Sequence, residues 1–192
     1  MKFFSLFFSF LVPVGLFAQL STKVEWTEQT SMPDAEVIYY DPESKLLWED
    51  FKGKVPAVTG RIAAITMSGF GYTASVASSG GKGEITIKVY CFFNKNRSWV
   101  KPGKITAYIL NHEQHHFDIS YIAAGIFVDK IQSAVITSKN YNTLLTRIYD
   151  ECIDAMNKMQ DAYDGQTRNG QETTLQEKWN KFIDDKMAII TK

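Results

Sequence analysis

Residues 104–124 read KITAYILNHEQHHFDISYIAA, and the chain's three histidines, His112, His115 and His116, all fall inside this stretch. The run His112-Glu113-Gln114-His115-His116 is an H-E-x-x-H. No Pro or Gly interrupts Lys104 to Ala124, and Ile105, Tyr108, Ile109, His112, His116 and Ile119 recur at the three-and-four spacing of one helical face. Pro102-Gly103 is a plausible start signal just upstream. On a helix, residues four apart lie one turn above the other. His112 and His116 can therefore direct their imidazoles at one point, where a zinc ion could sit. Glu113 lies about 100° round the helix from His112. A carboxylate there stands beside the metal and can take a proton from water instead of ligating. The alternative is a pair of core histidines with no metal, satisfied by ordinary hydrogen bonds.

With both spaced histidines assigned to the ion, the third ligand has to come from an oxygen or sulfur donor. His115 fits neither metal spacing and reads as a helix-surface or supporting residue. Glu151 and Asp154 fall on a second expected helix, and Asp164 near its end. Asp164 is the favoured ligand, because a residue at a helix end turns into a cleft more easily than one in mid-helix. The competing reading is that Asp164 orients a histidine or caps a turn.

Working outward, the front half reads as strands. Ala35-Glu36-Val37-Ile38-Tyr39-Tyr40 is rich in β-formers, and Asp41-Pro42-Glu43-Ser44 makes a turn before Leu46-Leu47-Trp48. Arg61 to Ala77 is a long stretch with an expected kink at Gly69 or Gly71. Ser79-Gly80-Gly81-Lys82-Gly83 has the composition of a hairpin loop. Glu84 to Tyr90 alternates apolar and polar residues, as a half-buried strand does. The back half reads as helices. The motif helix continues through Ile131, a second runs from about Tyr141 to Ala162, and Gly165 to Gly170 is a loop. A last helix starts near Gln171 and carries Leu175, Trp179, Phe182, Ile183 and Met187. Strands segregated before helices predict an α+β domain with N-terminal antiparallel strands and a helical half. A sheet preceding the motif helix is also the plan of zincin-type metalloproteases, by analogy.

Met1-Lys2 followed by the apolar run Phe3 to Phe17, and ending at Ala18, has the form of a secretory signal peptide cleaved before Gln19. The run falls short of the ~20 residues that span a bilayer, so no stable membrane span is expected after cleavage; an uncleaved anchor is the alternative. Residues 19–192 then form one domain, exported to the periplasm or beyond. Lys and Arg together number 21, as do Asp and Glu, a balance that argues against a nucleic-acid partner. Trp26, Trp48, Trp99 and Trp179 are spread along the chain, and Trp48 and Trp99 sit beside strand-forming residues as core aromatics do. Cys91 and Cys152 are either a bridge worth ~4 kcal/mol in the chain-entropy model or two buried small hydrophobes. Ser21 to Asp34 is short for a pro-segment, though it could lie over the cleft.

Several segments together resemble a bacterial family of domains of unknown function whose members are predicted secreted zinc-dependent proteases. They are Leu47-Trp48-Glu49-Asp50-Phe51-Lys52-Gly53, Ser98-Trp99-Val100, Asn111 to Ile119, and Tyr163-Asp164 with Thr167, Gly170 and Trp179. The resemblance implies a zincin-like fold and hydrolysis of peptide bonds in a peptide or protein substrate. The chain departs from the family at two positions. Asn169-Gly170 stands where a His-Gly pair is common, and Tyr121 where many members carry an acidic residue. Two functional readings follow. One is a secreted zinc peptidase with His112 and His116 as ligands and Glu113 as catalytic base. The other is a non-catalytic zincin-shaped binding or surface module. Intact Glu113 favours the first, and the two departures favour the second.

Overall fold

A computed structural model describes residues 19–60, 62–79 and 82–190. The expected leader, residues 1–18, lies outside the described residues. The architecture is mixed α+β, with β-structure in the first half and long helices in the second.

The strands are β1 (Leu20–Trp26), β2 (Val37–Tyr39), β3 (Ala64–Ile65), β4 (Ser68–Ser79), β5 (Lys82–Asn94) and β6 (Trp99–Val100). β5 organises them. On one side β4 runs antiparallel to it along its length, from Ser68↔Phe93 to Ser79↔Lys82. On the other side β1 pairs with residues 83–89 and β2 with residues 92–94. The expectation of antiparallel strands is corrected here: β1 is parallel to β5, so the sheet is mixed. The segment left as a possible cover for the cleft thus begins as a sheet strand. β3 and β6 form a separate antiparallel pair.

β5 takes its central place because Ile85, Ile87, Val89, Cys91 and Phe93 alternate onto one face and are 0–2% exposed. The expected long strand from Arg61 divides at Thr66–Met67 instead of kinking at glycine. β4 continues through Gly69 and Gly71, and Gly71 makes room for an aromatic ring from β5. A Cβ at Gly71 would stand 2.5 Å from the Tyr90 hydroxyl, and one at Gly69 would touch Phe92 at 3.5 Å.

Three helices follow: α1 (Ala107–Gln132), α2 (Tyr141–Thr167) and α3 (Thr173–Ile190). α1 starts later than the sequence pattern predicts, because Thr106 caps it by accepting from the Ile109 N–H at 3.1 Å. Ile105 and Tyr108 consequently fall outside the buried stripe and are exposed. α2 runs five residues beyond the expected end, so Gly165 to Thr167 are helical and the turn is Arg168, Asn169 and Gly170, all with positive φ. The apolar core lies between the inner face of the sheet and α1, with α2 packed on α1: Phe70, Tyr72, Phe127 and Tyr149 meet there at 5.0–5.9 Å between ring centres. Cys91 and Cys152 are both buried in this core as free thiols.

Candidate metal centre

The first turns of α1 carry the motif inward. His112 and Glu113 are 4% and 3% exposed, and the His116 side chain is 12% exposed. α2 approaches with its last turns, so that Asp164, three residues before the helix end, faces both histidines. His112 Nε2 lies 3.1 Å from Asp164 Oδ1, His116 Nε2 lies 3.0 Å from the same oxygen, and the two Nε2 atoms are 3.3 Å apart. Donors held ~2.0–2.1 Å from a tetrahedral zinc stand ~3.3–3.4 Å from one another. The triangle therefore has the dimensions of three ligands on one ion. His112, His116 and Asp164 form a group that could hold a metal ion.

Both imidazoles are fixed from behind. His112 Nδ1–H donates to Gln176 Oε1 at 2.8 Å, and His116 Nδ1–H donates to Gln160 Oε1. An amide oxygen only accepts, so each Nδ1 carries the proton and each Nε2 presents its lone pair to the centre. Gln160 is itself held by donating to the His116 carbonyl at 2.9 Å, and Gln176 donates to the Tyr163 hydroxyl and to Asn180. The Tyr163 ring stacks on His112 at 4.6 Å. On the outer side, a Cβ at Gly170 would lie 3.4 Å from His112 Nδ1, so the turn after α2 packs directly on the imidazole.

The groups of this cluster shift one another's charge. Burial opposes charge on His116, yet Asp164 and Glu113 beside it raise its pKa to about 9. Burial likewise opposes the Asp164 carboxylate, but the two imidazoles facing it hold it well below the usual carboxylate range. Glu113 goes the other way: burial pushes it up, against the pull of His116 and His112. Its Oε2 is buried with no hydrogen-bond partner, an orphan acceptor at the edge of the three-ligand group. A cavity of about 220 Å³ opens over these residues and is bordered by Ala64, Ile65 and Thr66 on the β3 side and by Asn157 and Asn169 on the other.

The structure thus brings His112, Glu113, His116 and Asp164 to one cavity and leaves the other acidic candidates away from it. Glu151 pairs with Lys130 and Arg147 on the surface, and Asp154 borders a different surface hollow. Asn169 also borders the cavity. Tyr121 points elsewhere, stacked with Tyr40 at 4.2 Å and Trp26 at 5.0 Å. Trp48 and Trp99 are absent from the cavity wall: Trp99 is 8% exposed and Trp48 packs on Phe51. His115, expected on the helix surface or in support, is buried at 3% exposure. Sequence reasoning missed Gln160, Tyr163 as a stacking partner, and Gln176. Of these only Gln160 left a signal, four residues before Asp164 and hence on its helical face. No family model, curated protein or solved structure matches the chain.

Proposed function

We propose that this chain is a zinc-dependent hydrolase of zincin-like plan, cleaving peptide bonds after export. One observation carries the reading: three metal-ligating atoms, two imidazole nitrogens and a carboxylate oxygen, converge within 3.0–3.3 Å beside a buried carboxylate that has an oxygen to spare. Two imidazoles and one carboxylate, with room for a fourth partner, are the donor set of hydrolytic zinc sites. Zinc bound there would supply a Lewis acid that acidifies water and polarises a carbonyl.

The chain's own residues do the rest. Glu113, with its affinity for protons raised by burial, accepts the proton of the attacking water and passes it to the leaving amine. Gln160 and Gln176 keep both imidazoles in the one tautomer that can ligate. Residues 64–66 border the cavity at a strand end, where an extended peptide could lie. Export rests on the apolar leader at residues 3–17.

Metal analysis with a general peptidase assay tests this. His112→Ala, His116→Ala and Asp164→Ala are expected to lose metal and activity together, while Asp154→Ala and Glu151→Ala keep both. Glu113→Gln is expected to keep metal and lose activity by a factor of about 10²–10⁴, the usual size of a general acid–base contribution. Loss of metal in a folded Glu113→Gln variant would contradict the roles assigned. Metal retained by the parent without hydrolysis of any peptide would leave the binding-module reading.

A further inference from the structure

His115 sits between two metal-facing positions in sequence but turns away from them. Three residues beyond His112 is about 60° short of a full turn, which puts His115 on the flank of His112 opposite Glu113. Its Nδ1–H donates to the Asn111 carbonyl at 2.6 Å. A carbonyl only accepts, so the tautomer is fixed and Nε2 is left with a bare lone pair. That nitrogen is buried and has no hydrogen-bond partner. Asp184 on α3 places its Oδ1 3.6 Å away. Two acceptors therefore face each other, and leaving a buried acceptor unmet costs ~1–3 kcal/mol.

A cavity of about 350 Å³ opens at this point, and two carboxylates, Asp118 and Asp184, border it with His115. Asp118, 2% exposed, presents its carboxylate there, braced by donation from Tyr40 at 2.7 Å and Gln114 at 2.8 Å. Asn111 and Asn180 add amide groups, and Lys45 is the one cationic side chain bordering it among the described residues.

We propose that His115 and Asp184 hold a second transition-metal dication, which ties α1 to α3 behind the first centre. An imidazole paired with a carboxylate selects zinc, nickel, copper or cobalt over magnesium or calcium. Ligands on one tetrahedral zinc stand ~3.3–3.4 Å apart, close to the 3.6 Å found here. The Asp184 side chain is 71% exposed, free to close that difference. An ion pair of a protonated His115 with Asp184 across the same 3.6 Å is the competing account, and zinc stoichiometry separates the two. The ion would adjoin a chain of amides that reaches the first centre: Asn180 donates to Asn111, Gln176 donates to Asn180, and Gln176 accepts from His112.

The test is zinc stoichiometry of the full-length chain by equilibrium dialysis, with thermal melts in zinc and in magnesium. Asp184→Asn, a change at an exposed position, and His115→Gln are each expected to remove one equivalent of zinc relative to the parent. The His112→Ala, His116→Ala, Asp164→Ala triple variant is expected to keep that equivalent and to melt higher when zinc is added, with no shift in magnesium. Zinc content unchanged by both Asp184→Asn and His115→Gln overturns the proposal. An equal melting shift in magnesium also overturns it. Because the criterion is an equivalent lost at His115 and Asp184, it is read separately from whatever the first centre does.

Discussion

The two halves of α1 are equally buried and opposite in character. From His112 to Asp118 the inward residues include His112, Glu113, Gln114, His115 and Asp118; from Ile119 to Ile131 they include Ile119, Ile122, Ala123, Phe127 and Ile131. The difference follows from what each half meets. The apolar half lies against the rings of Phe70 and Tyr72 of β4 and Tyr149 of α2, where apolar side chains gain most from burial. The polar half meets the last turns of α2 and the first turns of α3, which supply Gln160, Asp164 and Gln176. Buried polar groups are tolerable only when partnered. Glu113 Oε2 and His115 Nε2 are the atoms of this half left unpartnered, and each faces a place where a ligand could sit. A helix that is core at one end and site at the other lets the sheet supply rigidity while two other helices supply chemistry.

The largest effect that separates the halves is expected from Phe127→Ala. Its ring is fully buried among Phe70, Tyr72 and Tyr149, so truncation should remove ~3–5 kcal/mol of stability, read from urea unfolding. Metal bound per folded molecule should not change. A variant that loses metal while folded would show that the two halves are coupled.

Gln176→Ala probes the polar half alone. It removes the acceptor that fixes the His112 tautomer, leaving His112 Nδ1–H without that partner. Metal affinity is expected to fall about 10–100-fold, the usual cost of losing such support. Competition against a chelator measures it. An unchanged affinity would mean that Tyr163 stacking alone orients the imidazole.

How much of this was legible depends on the range over which each feature is specified. The H-E-x-x-H face and the Tyr141 start of α2 are local patterns, and they stand where periodicity predicts them. The alternation of β5 is local too. The parallel pairing of Leu20–Trp26 with β5 joins residues some sixty positions apart, and nothing in either segment announces its direction. Gln176 is a case of another kind. A glutamine in an amphipathic helix has the same appearance whether it faces solvent or, at 1% exposure, a histidine. Asp164 was readable because a carboxylate at a helix end is chemically conspicuous, and because no unassigned histidine stood at metal spacing.

Protons offer a finer separation, since the buried groups of α1 that titrate all lie in the polar half. In the metal-free protein the pKa of His116 is raised from its ordinary 6.5 to about 9. The stability this contributes is present in full below pH 6.5 and is lost as pH rises through about 9. Metal must displace that proton, so affinity should climb about tenfold per pH unit towards 9 and then level off. Asp164→Asn removes the first-named partner that raises this pKa, and the metal-free stability profile should flatten in that variant. A parent profile already flat between pH 6.5 and 9 would contradict the assigned proton on His116.

The smallest effect, and the sharpest test of how tightly the site is held, comes from Gly170→Ala. Gly170 has φ +78, where an L-residue costs about 1–2 kcal/mol. An added methyl would also stand 3.4 Å from His112 Nδ1 and 3.5 Å from its Cγ, in van der Waals contact with the imidazole. The carbonyl of Gly170 meanwhile accepts from the Tyr108 hydroxyl at 2.7 Å, so the turn has little freedom to retreat. Gly103 has nearly the same φ, +79, and nothing within 4 Å of its Cβ position. Gly103→Ala therefore carries the backbone strain without the contact. Both variants should lose about 1–2 kcal/mol of stability in urea unfolding. Only Gly170→Ala should also alter metal binding, by a few-fold at most, since backbone strain in this turn is passed to His112 through the contact. Equal metal affinity in the two variants would mean that the position of His112 is set by Gln176 and Tyr163 without help from the turn.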